Sequence, residues 1–164
     1  MARQTNRRSA GLLLYRRVDG GPDHGADGGV EVLIAHPGGP LWARKDAGAW
    51  SIPKGLYEPD ETPLATARRE FAEEMGSPPP DGPVIELGEV TLKSGKVVTG
   101  FAIEGDFDVE TLVSNTFEMQ WPPRSGRFQE FPEIDRAEWV DPATARAALN
   151  PAQAAFVDRL LSAL

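Results

Sequence analysis

Glu70, Glu73 and Glu74 fall on one helical turn beside Arg69, in a stretch that follows a glycine turn at Gly55 and stops at Gly76. With about 100° of rotation per residue, Glu73 and Glu74 flank Glu70 on a single acidic stripe. Leu64, Ala67, Phe71 and Met75 form an apolar stripe next to it. Like charges spaced i,i+3 and i,i+4 each cost about 0.2–0.5 kcal/mol on an exposed helix, so helix formation alone gives no reason to gather them. A hard divalent cation supplies a reason, because it takes oxygen donors and is commonly held by a few carboxylates, waters and phosphate oxygens. Such an ion polarises a phosphoryl oxygen and activates water. The competing account of the triplet is a solvated acidic helix face.

The residues around the triplet decide between these accounts. They read G-x5-E-x7-R-E-F-x-E-E-x-G, with Gly55, Glu61, Arg69, Glu70, Glu73, Glu74 and Gly76 in place. This pattern, over residues 55–77, resembles the Nudix box, the signature of Nudix hydrolases. The departures are Phe71, where aliphatic residues are usual, and Ser77, where a hydrophobic residue follows the last glycine; both are packing positions. The resemblance implies an α/β fold, a Nudix-type α/β/α sandwich with a mixed β-sheet, as a single domain over residues 1–164. It implies Mg2+, with Mn2+ as a substitute, and hydrolysis of a pyrophosphate linkage in a nucleoside diphosphate joined to another group. On that reading Glu70, Glu73 and Glu74 are metal ligands, the Gly55 carbonyl faces the metal, Arg69 holds a carboxylate in place and Glu61 supports the turn into the helix. Glu70, Glu73 or a glutamate from a later loop takes the proton of the attacking water. Glu133 is the preferred loop residue, with Glu130 and Glu118 as alternatives.

The segment ahead of the pattern, Trp50-Ser-Ile-Pro-Lys-Gly55, is similar to Nudix members that cleave dinucleoside polyphosphates, and this makes a dinucleoside polyphosphate the leading substrate. Nucleoside triphosphates, ADP-ribose, diphosphoinositol polyphosphates and a non-catalytic nucleotide-sensing module remain as alternatives. Lys54, one of four lysines, is placed to meet a phosphate, and Arg124 and Arg127 are candidates for further phosphates. Tyr57, Trp42, Trp50, Trp121 and Phe128 lie near turns and can clamp a base, whereas Trp139 reads as core. His36 reads as structural and His24 as having no role. Arg7, Arg8, Arg16 and Arg17 read as solvated flanks of the first strand.

Positioning these groups requires a scaffold. Strands are expected over 9–17, 30–36, 50–52, 84–92, 96–103, 117–121 and 137–140, with Ser94-Gly95 as a hairpin turn. Residues 19–29 read as a flexible glycine-rich loop and 122–132 as a loop. Thr62 and Pro63 should open the acidic helix and Gly76 should end it. Asp141-Pro142 and Asn150-Pro151 should open two C-terminal helices. Helices before and after the strands imply a sheet covered on both faces.

Composition narrows the partners. The net charge of −8 argues against general binding of a nucleic-acid backbone, which wants basic surface; a small phosphorylated molecule is the expected partner. With no cysteine, disulfides and thiolate metal sites are excluded. No apolar run approaches the ~20 residues that span a bilayer, and the apolar run at 10–15 is too short for a signal-peptide core. The expectation is a soluble, cytoplasmic protein; its oligomeric state is not legible.

Overall fold

A computed structural model describes residues 8–18 and 29–164. The expected loop over 19–29, with His24, lies outside the described residues except for Gly29, and so does Arg7. The first strand, β1 (Arg8–Arg17), is central and accepts neighbours on both edges. On one edge it runs parallel to β5 (Val97–Glu104), from Arg8↔Val97 to Tyr15↔Glu104. The other edge is divided. β2 (Val30–Pro37) pairs antiparallel with its C-terminal end at Tyr15↔Val32, and β3 (Lys54–Leu56) pairs with its N-terminal end at Ser9↔Leu56. β4 (Val84–Thr91) extends the sheet beyond β5, and β8 (Ile134–Val140) extends it beyond β2. The sheet is therefore mixed, in the order β4-β5-β1-β2-β8. A separate hairpin joins β6 (Thr116–Gln120) to β7 (Phe128–Pro132), with Phe117 opposite Phe131.

Alternation along β1 explains the layers. Leu12 and Leu14 face the helix α1 (Pro63–Met75), where Ala67, Phe71 and Met75 are fully buried with Phe101 and Ile103. Leu13 and Tyr15 face the opposite core, which holds Phe156, Val157 and Leu160 of α3 (Ala154–Ala163) and Ala145 of α2 (Pro142–Ala148). A strand buried on both faces needs apolar residues at consecutive positions, which the run Gly11-Leu-Leu-Leu-Tyr15 supplies. Phe71 meets Phe107 edge-on at 5.9 Å, so the unusual aromatic at this position is a core residue, and such a buried ring is worth about 3–5 kcal/mol.

The acidic helix starts as its sequence dictates. The Thr62 hydroxyl accepts from the Ala65 N–H at 3.2 Å, Pro63 occupies the first turn, and Gly76 ends the helix at φ 88°. Three expected elements need correction. Residues 50–52 make only isolated bridges, Ala35↔Ser51 and Trp50↔Leu149, and the strand lies just beyond Pro53. The second half of the expected 122–132 loop is β7. Asn150 caps a short 3-10 turn at Pro151–Gln153 before α3 begins. Arg16 is more than a solvated flank: its guanidinium lies 4.2 Å from the Trp139 ring centroid and binds Glu31 and Asp106. No described helix is long and apolar enough to cross a membrane.

Candidate active site

Because β2 and β3 share one edge of β1, the sheet opens between them, and α1 lays its acidic stripe beside the opening. The result is a cleft of about 520 Å3 lined by Lys54, Gly55, Glu70, Glu73, Glu74, Lys96, Asn115 and Glu133. It brings together the glutamate triplet, Gly55, Lys54 and Glu133.

Arg69 organises one wall. Its Nε and Nη2 donate to the two Glu61 carboxylate oxygens at 2.8 and 2.9 Å. Nη1 donates to Glu70 Oε1 at 2.9 Å and to Glu73 Oε2 at 3.1 Å, and Nη2 also reaches the Leu56 carbonyl at 3.0 Å. A paired, forked geometry of this kind is the strong form of a charged hydrogen bond. Glu61 further accepts from the Thr66 hydroxyl at 2.6 Å and the Glu58 N–H at 3.1 Å, which ties the 58–61 turn to the helix. Arg69 and its neighbours hold the Glu61 carboxyl down at about 2.

Glu74 reaches further inward. It is 9% exposed, and its Oε2 accepts from the Lys54 N–H at 3.2 Å. Burial, reinforced by Glu70, pushes its carboxyl up to about 8. Burial also raises Glu70, against the pull of Arg69, and raises Glu133. The Lys54 ammonium is lowered by burial and by Lys96. Each of these directions reflects charged groups held out of water. The Glu70 carboxylate lies directly on the Gly55 backbone: a Cβ built there would overlap it, so this approach requires glycine.

Glu133 is fixed at the cleft by its backbone. It is the single residue between β7 and β8. Its N–H donates to the Asn115 carbonyl and its carbonyl accepts from Gly38 N–H, both at 2.9 Å, while Asn115 N–H donates to the Glu73 carbonyl at 2.9 Å. The end of the acidic helix, the 113–115 segment and the β7–β8 junction are thus hydrogen-bonded in series.

Not every expected residue arrives. Arg124 and Arg127 are exposed on the turn of the β6–β7 hairpin and do not line the cleft. Tyr57 packs against the core beneath α1, with its hydroxyl 3.4 Å from Thr99 Oγ1. Glu118 and Glu130 face each other across the hairpin. His36 is buried between Asp135 and the Lys45 carbonyl, a structural position. Lys96 and Asn115 were missed by the sequence reading. The scarcity of lysine was the one available hint for Lys96, since two of the chain's four lysines line this cleft.

The donor set suits a hard cation. Glu70, Glu73, Glu74 and Glu133 offer only oxygen, the ligand chemistry of Mg2+ and Mn2+. Among the described residues, Glu70 Oε2 and Glu73 Oε1 receive no protein hydrogen bond, although no three acidic or histidine side chains stand at metal-holding separation in this arrangement. The charge and donor chemistry fit; the side chains must draw together to close around an ion.

The layers and the cleft define an α/β/α sandwich with an oxygen-donor site at a divided strand edge. Residues 6–160 match the model of the NUDIX domain, and the chain belongs to that family. An RNA pyrophosphohydrolase of Halorhodospira halophila is 44% identical over 59 residues, 34% of this chain and 32% of that protein; the match thus spans about a third of the curated relative. Solved structures share the fold. They include an Ap4A hydrolase binary complex of C. elegans (TM-score 0.59, 17% identity, 94% of this chain and 96% of that one). A Nudix hydrolase of M. smegmatis, RenU, gives a TM-score of 0.58 at 23% identity over 96% and 85% of the two chains. The NUDIX domain of Shewanella oneidensis NrtR, complexed with ADP ribose, gives 0.59 at 14% identity over 95% and 86%.

Proposed function

We propose that this protein is a pyrophosphohydrolase that cleaves a phosphoric anhydride in a nucleoside diphosphate joined to another group, with Mg2+ as its cofactor and a dinucleoside polyphosphate as its leading substrate. The observation that carries this reading is one cleft with four carboxylates and two lysines on its walls. Carboxylates alone would repel a polyphosphate; carboxylates with a cation, flanked by lysines, attract one. The likeness in fold to the C. elegans Ap4A hydrolase supports the choice of substrate. The local match to an RNA pyrophosphohydrolase supports the same bond type.

Glu70, Glu73, Glu74 and the Gly55 carbonyl would hold the cation, which supplies charge neutralisation at the phosphoryl oxygens and lowers the pKa of water. Lys54 and Lys96 meet the phosphate oxyanions and stabilise the charge that grows on them as the bridge breaks. Water attacks one phosphorus in line with the leaving phosphate, one P–O bond forms as another breaks, and a carboxylate takes the water's proton. Glu133 is suited to that transfer, because it lines the same cleft as the triplet and burial raises its affinity for a proton.

The test is a panel of dinucleoside polyphosphates, nucleoside triphosphates and ADP-ribose, incubated with Mg2+, Mn2+ or EDTA, with products resolved by mass. Turnover in Mg2+ and none in EDTA is expected. Millimolar Mg2+ should also raise the melting temperature by a few degrees, the order expected for about 1–2 kcal/mol of ligand stabilisation in a chain of this size. A second reading, a nucleotide-sensing module without catalysis, draws on the engagement of Glu70 and Glu73 by Arg69 and on the fold shared with the ADP-ribose-bound NrtR domain. Binding of a panel compound with no product in any divalent metal would select it.

A further inference from the structure

We propose that a second, apolar cleft beside the acidic one seats the flat aromatic base of a nucleotide substrate, with Trp42 as its stacking face. This rests on the reading of the acidic cleft as a polyphosphate site. The second cleft measures about 440 Å3, and Pro37 and Glu133 line both clefts. A ligand whose phosphates lie between the glutamates and lysines can therefore pass Glu133 and place its other end against Leu41, Trp42, Phe117 and Met119.

The apolar wall is built and left open. Leu41 is 57% exposed and Trp42 39%, an exposure that core packing does not explain. Yet the loop carrying them is pinned: Gly38 N–H donates to the Glu133 carbonyl, Trp42 N–H to Gly39 and Lys45 N–H to Trp42. The Phe117 ring sits on Gly39, where a Cβ would meet it at 2.8 Å. The Lys45 ammonium stands 4.9 Å from the Trp42 ring centroid and steadies the indole. Glu118 lines the same cleft and offers an acceptor to the ring N–H or amino groups of a base.

The other aromatics near turns lie outside this cleft. Trp50 is buried with its Nε1–H on Asp46. Trp139 donates to the Phe107 carbonyl beneath Arg16. Tyr57 packs under α1, and neither Trp121 nor Phe128 lines either cleft. An electron-rich face beside a sulfur-bearing apolar wall suits a purine or pyrimidine ring.

Adenosine, which has no phosphate, isolates this cleft from the acidic one. In metal-free buffer, titrating adenosine into 15N-labelled protein should move the indole N–H resonance of Trp42, assigned by its loss in Trp42→Phe, while ribose should not. With the best-hydrolysed panel substrate, Trp42→Ala should raise KM by roughly fivefold or more, the low end for loss of one base–aromatic stack, with kcat nearly unchanged; Trp42→Phe should restore most of it. A Trp42 resonance indifferent to adenosine, or a parent-like KM in Trp42→Ala, overturns the assignment. An adenosine shift at Trp42 without turnover of any panel compound leaves the base site standing and removes the hydrolase reading, so the two fail separately.

Discussion

Glu74→Gln should fold as the parent does and lose at least about 100-fold in turnover, because it weakens the hold on the cation that would neutralise charge at the reacting phosphate. The substitution keeps shape, and the side-chain carbonyl can still accept from the Lys54 N–H. It removes one buried negative charge from beside Glu70. In the metal-free parent that charge is costly. A carboxyl raised from its ordinary value to about 8 carries a penalty that begins as pH rises above 4.5 and is complete above about 8. Metal-free Glu74→Gln should therefore match the parent near pH 4.5 and melt higher than it toward pH 8. Activity would fall where stability rises, an opposition that a merely structural glutamate cannot produce. Scanning calorimetry in EDTA across pH, beside initial rates in Mg2+, measures both. Parent-like rates would remove Glu74 from the metal set.

Arg69→Met should cost about 1.5–3 kcal/mol, the order for hydrogen bonds to charged groups lost from a partly exposed network. One guanidinium bonds Glu61, Glu70, Glu73 and the Leu56 carbonyl. Without it, Glu61, whose side chain is 13% exposed, keeps its charge with only Thr66 and the Glu58 N–H as donors, and the acidic stripe loses the cation that screens it. The pH dependence identifies the source. A carboxyl held at about 2 in the folded chain, against 4.5 unfolded, contributes stability through its charged form. That contribution is complete above 4.5 and is lost as pH falls toward 2. The gap between parent and variant in urea unfolding should be widest near neutrality and close in acid. A gap constant from pH 7 to pH 3 would assign the loss to packing of the arginine stem.

Local chemistry explains what was readable beforehand. Thr62, Pro63 and Gly76 mark the ends of α1 through groups within one turn of each other, and the acidic stripe follows from its spacing. The apolar run at 10–15 marks β1 as a strand, while its central place comes from the distant partners β5 and β2. The misread strands depend on distant partners. Pro53-Lys54-Gly55 looks like a turn, and it becomes β3 because β2 leaves the N-terminal end of β1 without a neighbour. Phe128–Pro132 lies among turn-forming residues and becomes β7 because Phe117 and Phe131 meet across the hairpin. Lys96 and Asn115 carry no local mark of the cleft. They reach it because β5 docks beside β1 and the 113–115 segment is bonded to the end of α1, and strand order of this kind is set by tertiary packing.

The position of β1 also has a meaning for biosynthesis. The earliest described strand to leave the ribosome is the one the finished sheet is built around, yet its parallel neighbour is made much later and its β2 neighbour covers only one end. Until Val97–Glu104 has been translated, a run of leucines waits with one edge open to other chains. Contacts this far apart in sequence slow folding and prolong exposure, so the nascent chain should lean on chaperones most before Val97–Glu104 has emerged.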